Sequence, residues 1–339
     1  MAAPLLCVAA TDAAPAARSR AQRLAVAVAQ QVGVLVASLL AASLLIFLAL
    51  HYLPGDAAAI LAGPEATAAQ VALLEQRLGL DRPVAVQYLD WVFGALRLDL
   101  GDSMLDGRSV ASQIGEKLQV TVPLCVAALL ISVLVALPLG MIAGARHRTW
   151  YGHLIGALTQ LGVALPVFAV GLALVTVVAV KWRVLPVQGF PPDRWADPAG
   201  AIHSLILPTI TLAIPLTAGL VRFVRSATID IVADEWVRTA RAQGWSIPSV
   251  LMRQGLRNAA LPLVAIVGLE LAGLLMGSVL IEQVFALPGI GQMLLKDVGN
   301  RDIVSVQGTL LALTSVIMIV TIALNIVYTL IDPRLRGSK

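Results

Sequence analysis

Residues 24–50 read LAVAVAQQVGVLVASLLAASLLIFLAL, a run of 27 residues without a charged side chain. A helix that crosses a bilayer needs about 20 consecutive apolar residues, so this run is long enough for one span. It is too long for the apolar core of a secretory signal peptide, which has about 7–15 residues. It also ends in HYLPGD, residues 51–56, and not in a small-residue cleavage site. We therefore interpret it as a retained transmembrane helix.

The whole chain has the composition of a membrane protein. Of its 339 residues, 58% are hydrophobic and only 13% are charged, whereas an average soluble protein carries roughly 25% charged residues. This composition excludes a disordered chain, a fibrous repeat and nearly every class of soluble enzyme. The net charge of +4 does not indicate a nucleic-acid partner, because basic residues retained beside a bilayer account for it.

Five further runs carry at most one charge each, so the sequence predicts an all-α integral membrane protein with six transmembrane helices. The six runs are 24–50, 120–144, 154–180, 205–221, 259–281 and 304–331. Prolines inside them are compatible either with kinked helices around a cavity or with packing alone. Fourteen lysines and arginines fall on the side of the N-terminus and ten on the other side. The positive-inside rule therefore predicts that both termini are cytoplasmic.

This topology divides the chain into a tail, one domain and a short end. We predict a disordered cytoplasmic tail over 1–23, a six-helix domain over 24–336 and a tail over 337–339. The external loop 51–119 is too long for a simple connection. Within it, PVAVQYLDWVFGALR places apolar residues at helical spacing. This segment predicts an amphipathic helix over 83–97 that lies either on the membrane surface or against the external mouth.

The cytoplasmic loop 222–258 reads RFVRSATIDIVADEWVRTARAQGWSIPSVLMRQGLRN. Two helical stretches meet at Gly244-Trp245-Ser246. Gly244 suits the left-handed position after a helix, and Ser246 suits an N-cap with Pro248 in the following first turn. The loop is therefore predicted to form a basic helix–turn–helix hairpin, which contacts either a cytosolic protein or lipid headgroups.

Two segments of this loop, RTARAQG at 238–244 and LRNAALP at 256–262, resemble the cytoplasmic "EAA" loop of bacterial ABC importer permeases. The resemblance is to the dipeptide/oligopeptide/nickel branch, and it extends from residue 24 to 336. Gln243 departs from the family, which often has lysine there, and 301–305 lacks a proline that is common there. The other matching segments, in family order, are LPGD at 53–56, LGLDRP at 78–83, DLG at 99–101, HSLILP at 203–208, FALPGIG at 285–291 and DPR at 332–334.

The resemblance implies a subunit of a larger machine in the prokaryotic inner membrane. Its implied partners are a second homologous permease, two cytosolic ATP-binding subunits, an external substrate-binding protein and membrane lipid. We expect no nucleic acid. The loop helix would dock in a groove of the ATPase and transmit its closure to the spans. The residues implied in this coupling are Asp234, Glu235, Arg238, Thr239, Ala240, Arg241 and Gly244.

The chain itself is not expected to be an enzyme or to hold a cofactor. It contains no GxxxxGK[ST] phosphate-binding motif, so ATP and magnesium are assigned to the partner subunits. Its four histidines, at 51, 147, 153 and 203, have no metal-binding spacing, and we expect no metal site.

The fifth run contains one acid near its middle, Glu270. A charged residue at the centre of a span costs roughly 2.5–3.5 kcal/mol on insertion scales, so it should face the bundle interior or a water-filled path. It either lines the translocation path or makes a helix–helix hydrogen bond. Gly273 and Gly277 form a GxxxG pair, which allows close helix approach. The partner permease is a candidate for the helix that packs there.

Peptides are the leading substrate class on the resemblance, and nickel or another small solute is the alternative. An ion-driven secondary transporter would have more intramembrane carboxylates and inverted repeats between its halves. A membrane-embedded enzyme would need a catalytic group of residues facing a common cavity. Neither feature is evident, so the sequence favours the ABC permease.

Overall fold

A computed structural model of the chain describes residues 20–52, 62 and 66–331. Side chains are described in this part except at 20–28, 77–78, 254–265, 269, 325 and 327–331. Residues 1–19 of the predicted tail over 1–23 and the whole predicted tail over 337–339 lie outside the described residues, as do the LPGD segment at 53–56 and the DPR segment at 332–334.

The described part of the chain is helical and contains no strand. The main helices are α1 Arg20–His51, α2 Ala68–Leu78, α3 Val84–Leu96, α4 Val110–Ala145, α5 Trp150–Ala164, α6 Val167–Leu174, α7 Pro198–Ala233, α8 Glu235–Ala242, α9 Ile247–Val250, α10 Leu256–Val284, α11 Ile290–Gly299 and α12 Ile303–Ile331. A π-helical segment, Val175–Lys181, continues α6, and another, Leu251–Gly255, precedes α10.

Five of these helices are long and apolar enough to cross a membrane, namely α1, α4, α7, α10 and α12. This confirms the all-α membrane architecture. The predicted third span over 154–180 is kinked, because α5 and the helix that follows it are bent by 101°. The bend falls at Leu165 and Pro166. Proline disfavours a helical conformation for the residue before it, and Leu165 is extended, with φ −80° and ψ 128°. The pair counts as a sixth span only if it is taken as one broken span.

The other described prolines inside spans do not break their helices. Helix α4 continues through Pro123 and Pro138, and α7 continues through Pro208 and Pro215. Both helices have 36 residues, which corresponds to about 54 Å each at 1.5 Å per residue. They form the centre of the bundle together with α10, and the buried core between them contains Leu124, Leu207, Leu220, Ile281 and Phe285.

Several predicted boundaries fall inside helices. Helix α1 already begins at Arg20, so the boundary of the tail at residue 23 lies within it. The second span begins at Val110 and shortens the loop 51–119. The fourth span, α7, continues to Ala233, so the hairpin itself comprises only residues 234–255. Apolar runs mark the part of a helix that lies in lipid, whereas polar ends can continue the same helix into water.

The loops gather at the two ends of the bundle as the topology predicts. At one end, which we call the hairpin end, Ala145 and Arg146 line the same cavity as Arg241 and residues 244–248. At the other end, which we call the loop end, contacts join 103–104 to Asp302 and Glu116 to Arg194. The cytoplasmic location of the hairpin end and of the termini stays a prediction.

The predicted amphipathic helix is present as α3 at the loop end. Its Tyr88 and Trp91 pack on Phe47 of α1, with ring centroids 5.4 and 6.2 Å apart, and Ser43 is within 3.0 Å of the Tyr88 hydroxyl. The opposite side of α3 exposes apolar side chains, including Phe93 and Leu96. Helix α3 therefore packs on the first span with one side only.

Candidate functional site

The hairpin at 234–255 has the turn that the sequence predicts. Gly244 has φ +91°, in the left-handed region that glycine adopts without steric cost. The hydroxyl of Ser246 accepts a hydrogen bond from the backbone N–H of Ser249, 3.4 Å away, and caps α9. A Cβ on residue 244 would meet no atom within 4 Å. The requirement for glycine therefore comes from the backbone conformation and not from space.

Helix α8 buries one apolar side chain. Val237 is only 1% exposed, and it is the one buried residue of this helix. The Thr239 hydroxyl donates to the backbone carbonyl of Glu235 within the same helix. Ala240 is half-buried. A short helix with one buried side chain and a wide open face is suited to contact another molecule.

The charged residues of α8 lie on that open face. Glu235, Arg238 and Arg241 are exposed, and none of them forms an ion pair within the described part of the chain. Asp234, just before the helix, accepts a hydrogen bond from the indole N–H of Trp236 at 3.1 Å. Most of the charges that the resemblance assigns to coupling therefore remain available to a partner. The side chains of 256–262, which carry the second matching segment, are not among those described.

Glu270 lies beside a cavity of about 290 Å³ between α5, α6, α7 and α10. The carboxylate faces Gly219 of α7, where a Cβ would lie 3.6 Å from its Oε1 atom. Arg222, one turn further along α7, lines the same cavity. Neither side chain has a hydrogen-bond or ion-pair partner among the described residues. The helix–helix hydrogen bond considered for Glu270 is thus not seen there.

The predicted packing glycines lie at this cavity. A Cβ at Gly277 would lie 3.0 Å from Leu212 Cδ1, and a Cβ at Gly273 would meet only the carboxylate of Glu270, at 4.0 Å. Their role against a partner permease stays a prediction.

A second GxxxG pair, Gly140 and Gly144, brings two helices into close contact, and our reading of the sequence missed it. A Cβ at Gly140 would lie 2.5 Å from Val224 Cβ, and a Cβ at Gly144 would lie 2.5 Å from Thr228 Cβ. These glycines of α4 therefore allow the close approach of α7. The signal was available, since the spacing is the same as that of Gly273 and Gly277.

A second buried acid, Glu282, was also missed because it follows the apolar run that ends at 281. Its side chain is fully buried. It accepts hydrogen bonds from the Thr121 hydroxyl at 2.6 Å and from the backbone N–H groups of Gly291 and Gln292 at 2.7 and 3.1 Å. The carboxylate thus caps the first turn of α11, where a negative charge is favourable. It joins the second span, the fifth span and α11 at the loop end.

A third acid, Asp302, holds the segment 101–109 at the same end. The Ser103 hydroxyl donates to its Oδ2 atom at 2.6 Å, and the Met104 and Ser305 backbone N–H groups donate to Oδ1 at 3.2 and 3.1 Å. The nearby carboxylate of Asp297 accepts a hydrogen bond from the Ser305 hydroxyl. This end of the molecule is therefore organised by buried carboxylates, whereas the hairpin end presents free charges.

The carboxyl group of Asp297 should make the stability of the loop end depend on pH. Burial raises its pKa above the ordinary 3.8, the charge of Asp302 adds to the rise, and the Ser305 hydrogen bond opposes it. Ionising this group therefore costs the folded state free energy, and the cost disappears as the pH falls through the raised pKa towards 3.8. We expect Asp297→Asn to melt at or above the wild-type temperature at neutral pH, with an advantage that shrinks on acidification.

The matched control is Asp106→Asn, because the pKa of Asp106 is lowered by a hydrogen bond from the Arg108 backbone N–H. Its contribution to stability has the opposite sign: it is present above pH 3.8 and is lost as the pH falls through the lowered pKa. Melting temperatures of the purified proteins between pH 4 and 8 give the comparison, and over this range the effect of Asp106→Asn should stay constant because its pH dependence lies below pH 3.8. An Asp297→Asn advantage that grows on acidification would contradict the assignment.

Comparison with known proteins identifies the family. The family described as the inner membrane component of binding-protein-dependent transport systems matches residues 136–337, and its N-terminal part matches 24–125. The chain belongs to this family. It is thus a multi-pass inner-membrane permease component of a binding-protein-dependent transport system.

Named relatives cover nearly the whole chain. A probable peptide ABC transporter permease of Sinorhizobium fredii is 34% identical over 86% of this chain and 93% of its own length. The glutathione transport system permease GsiC of Salmonella typhimurium is 34% identical over 89% of this chain and 96% of its own. The GsiC protein of Escherichia coli K12 matches to the same extent. The resemblance inferred from the motifs is thereby confirmed.

Proposed function

We propose that this chain forms the path for peptides through an ATP-driven importer and that the hairpin at 234–255 receives the force from ATPase subunits. The observation that carries the proposal is the exposed face of α8, where Glu235, Arg238 and Arg241 have no ion-pair partner in the described part of the chain. Charges on one side of a short helix fix its register in a complementary groove. Val237 is the single buried residue of that helix.

The complete machine that we propose contains four further proteins. A second, similar permease completes the path, two cytosolic subunits bind ATP and magnesium, and an external binding protein delivers the substrate. The family description refers to binding-protein-dependent transport and so supports the last of these. The relatives are named for peptide and glutathione transport, and glutathione is itself a short peptide. This common chemistry supports peptides as the substrate class.

Purification under mild conditions tests this assembly. We expect the tagged chain to bring down a second permease and ATP-hydrolysing subunits, which mass spectrometry and an ATPase assay detect. Arg238→Glu should lower the amount of ATPase subunits that co-purify with the chain by about tenfold, because it reverses an exposed charge in the proposed interface. Arg148→Glu is the matched control, since Arg148 is exposed at the same end outside the hairpin. A chain that purifies alone, without nucleotide hydrolysis, would contradict the proposal and favour an ion-driven carrier.

A further inference from the structure

The cavity beside Glu270 holds two opposite charges that do not neutralise each other. Glu270 of α10 and Arg222 of α7 both line it, and no ion pair or hydrogen bond joins them. Glu270 is half-buried and Arg222 is exposed. An acid near the middle of a span without a partner is costly. Its position is therefore better explained by a ligand that supplies the missing positive charge than by packing.

Among the described residues, the rest of the wall carries no further charge. It is apolar or glycine, with three glycines that leave room beside the carboxylate. A wall of this kind with a few placed polar groups is typical of small-ligand sites. The apolar lining residues are Val163, Val167, Leu212, Pro215, Leu216 and Leu274.

Size and spacing point to a short ligand. The cavity volume of about 290 Å³ lies at the lower bound of ligand sites, about 300–1,000 Å³. Gly219, which faces the carboxylate, and Arg222 are three residues apart on α7, or about 4.5 Å along the helix axis. An extended chain advances about 3.3–3.6 Å per residue. With the reach of both side chains added, this spacing suits a peptide of two or three residues, with one charged group near each end.

We propose that this cavity binds short zwitterionic peptides by both ends, with the carboxylate of Glu270 at the ammonium group and the guanidinium of Arg222 at the terminal carboxylate. The inference rests on the proposed transport function and deepens it, because it places selection in the permease in addition to any selection by the binding protein. A guanidinium suits the terminal carboxylate because its paired N–H donors match the two oxygens.

A labelling experiment tests the site without the binding protein. Gly219→Cys introduces a thiol beside Glu270, at a position where a Cβ makes an ordinary 3.6 Å contact. Of the two native cysteines, Cys7 is replaced by serine and Cys125 by alanine. In the purified transporter complex, alanyl-alanine should slow modification of this thiol by N-ethylmaleimide. N-acetyl-alanyl-alanine and alanyl-alanine amide should protect roughly tenfold more weakly, since each lacks one charged contact.

Variants of the two charged residues assign each contact. With Glu270→Gln, free and acetylated peptides should protect equally, and with Arg222→Gln, free and amidated peptides should protect equally. Arg225→Gln is the matched control, because Arg225 lies on the same helix but does not line the cavity, and it should retain both differences. Gly273→Cys gives a second labelling position if the first variant assembles poorly.

The outcomes separate this inference from the proposed function. Equal protection by free and capped peptides in the protein without these substitutions, or no protection at all, would overturn the inference. So would an effect of acetylation that persists in Glu270→Gln, or an effect of amidation that persists in Arg222→Gln. Uptake of alanyl-alanine by the wild-type complex with its binding protein is measured in parallel. Uptake without protection overturns the cavity alone, whereas the absence of both overturns the peptide assignment as well.

Discussion

Gly289→Ala, which adds a single methyl group, should strongly destabilise the protein. The added Cβ would lie 2.2 Å from Cδ of Glu282 and 2.3 Å from its Oε1 atom. Glu282 cannot move aside without losing the hydrogen bonds from Thr121, Gly291 and Gln292, because its carboxylate is fully buried among them. Overpacking a core costs about 1–3 kcal/mol, and breaking a buried charged network costs about 3–5 kcal/mol. We expect a loss on the order of 3 kcal/mol.

The measurement is the melting temperature and the yield of folded protein in mild detergent. Gly299→Ala is the matched control, because a Cβ at Gly299 would meet nothing within 4 Å and this glycine ends the same helix, α11. Gly299→Ala should leave the melting temperature unchanged. Glu282→Gln should also destabilise, since the amide nitrogen cannot accept the hydrogen bonds that one carboxylate oxygen accepts. If Gly289→Ala melts like wild type, the carboxylate does not occupy the position described.

Gly244→Val should separate ATP hydrolysis from transport. Residue 244 has φ +91°, and a β-branched side chain is strongly disfavoured in this region. The left-handed conformation costs an ordinary residue about 1–2 kcal/mol. The turn should therefore rearrange and reorient α8 relative to α9, while the bundle keeps its core. We expect peptide uptake per ATP hydrolysed to fall at least about tenfold, equivalent to about 1.4 kcal/mol.

Gly107→Val provides the matched control for backbone strain. Gly107 has φ +65° and, like Gly244, has open space where a Cβ would be. It lies in the segment 101–109 at the loop end, away from the hairpin. Gly107→Val should destabilise the protein by an amount similar to that of Gly244→Val, without changing the ratio of peptide uptake to ATP hydrolysis. Equal loss of coupling in both variants, or normal transport by Gly244→Val at normal expression, would show that the hairpin turn does not transmit the motion.

Patterns that act over a few residues are readable from the chain alone. The charge-free runs identify an all-α membrane protein because the bilayer accepts only segments that satisfy their own backbone hydrogen bonds. The turn at Gly244 and the cap at Ser246 follow from local backbone chemistry, and both occur where the sequence predicts them. The bend at Pro166 carried a local signal too. Pro123 and Pro208 carry the same signal, but their helices continue unbroken. A proline in the sequence therefore does not by itself determine whether a helix breaks.

Contacts between distant segments were decided only by the tertiary structure. Two glycine pairs have the same spacing, yet Gly140 and Gly144 admit α7 at close range while Gly273 and Gly277 lie at a cavity. Glu282 belongs to the loop end by sequence, and only folding buries it against Thr121. Arg222 and Glu270 meet at one cavity from different helices. Composition and periodicity determine which segments enter the membrane, whereas the relative rotation and packing of helices determine which side chains converge.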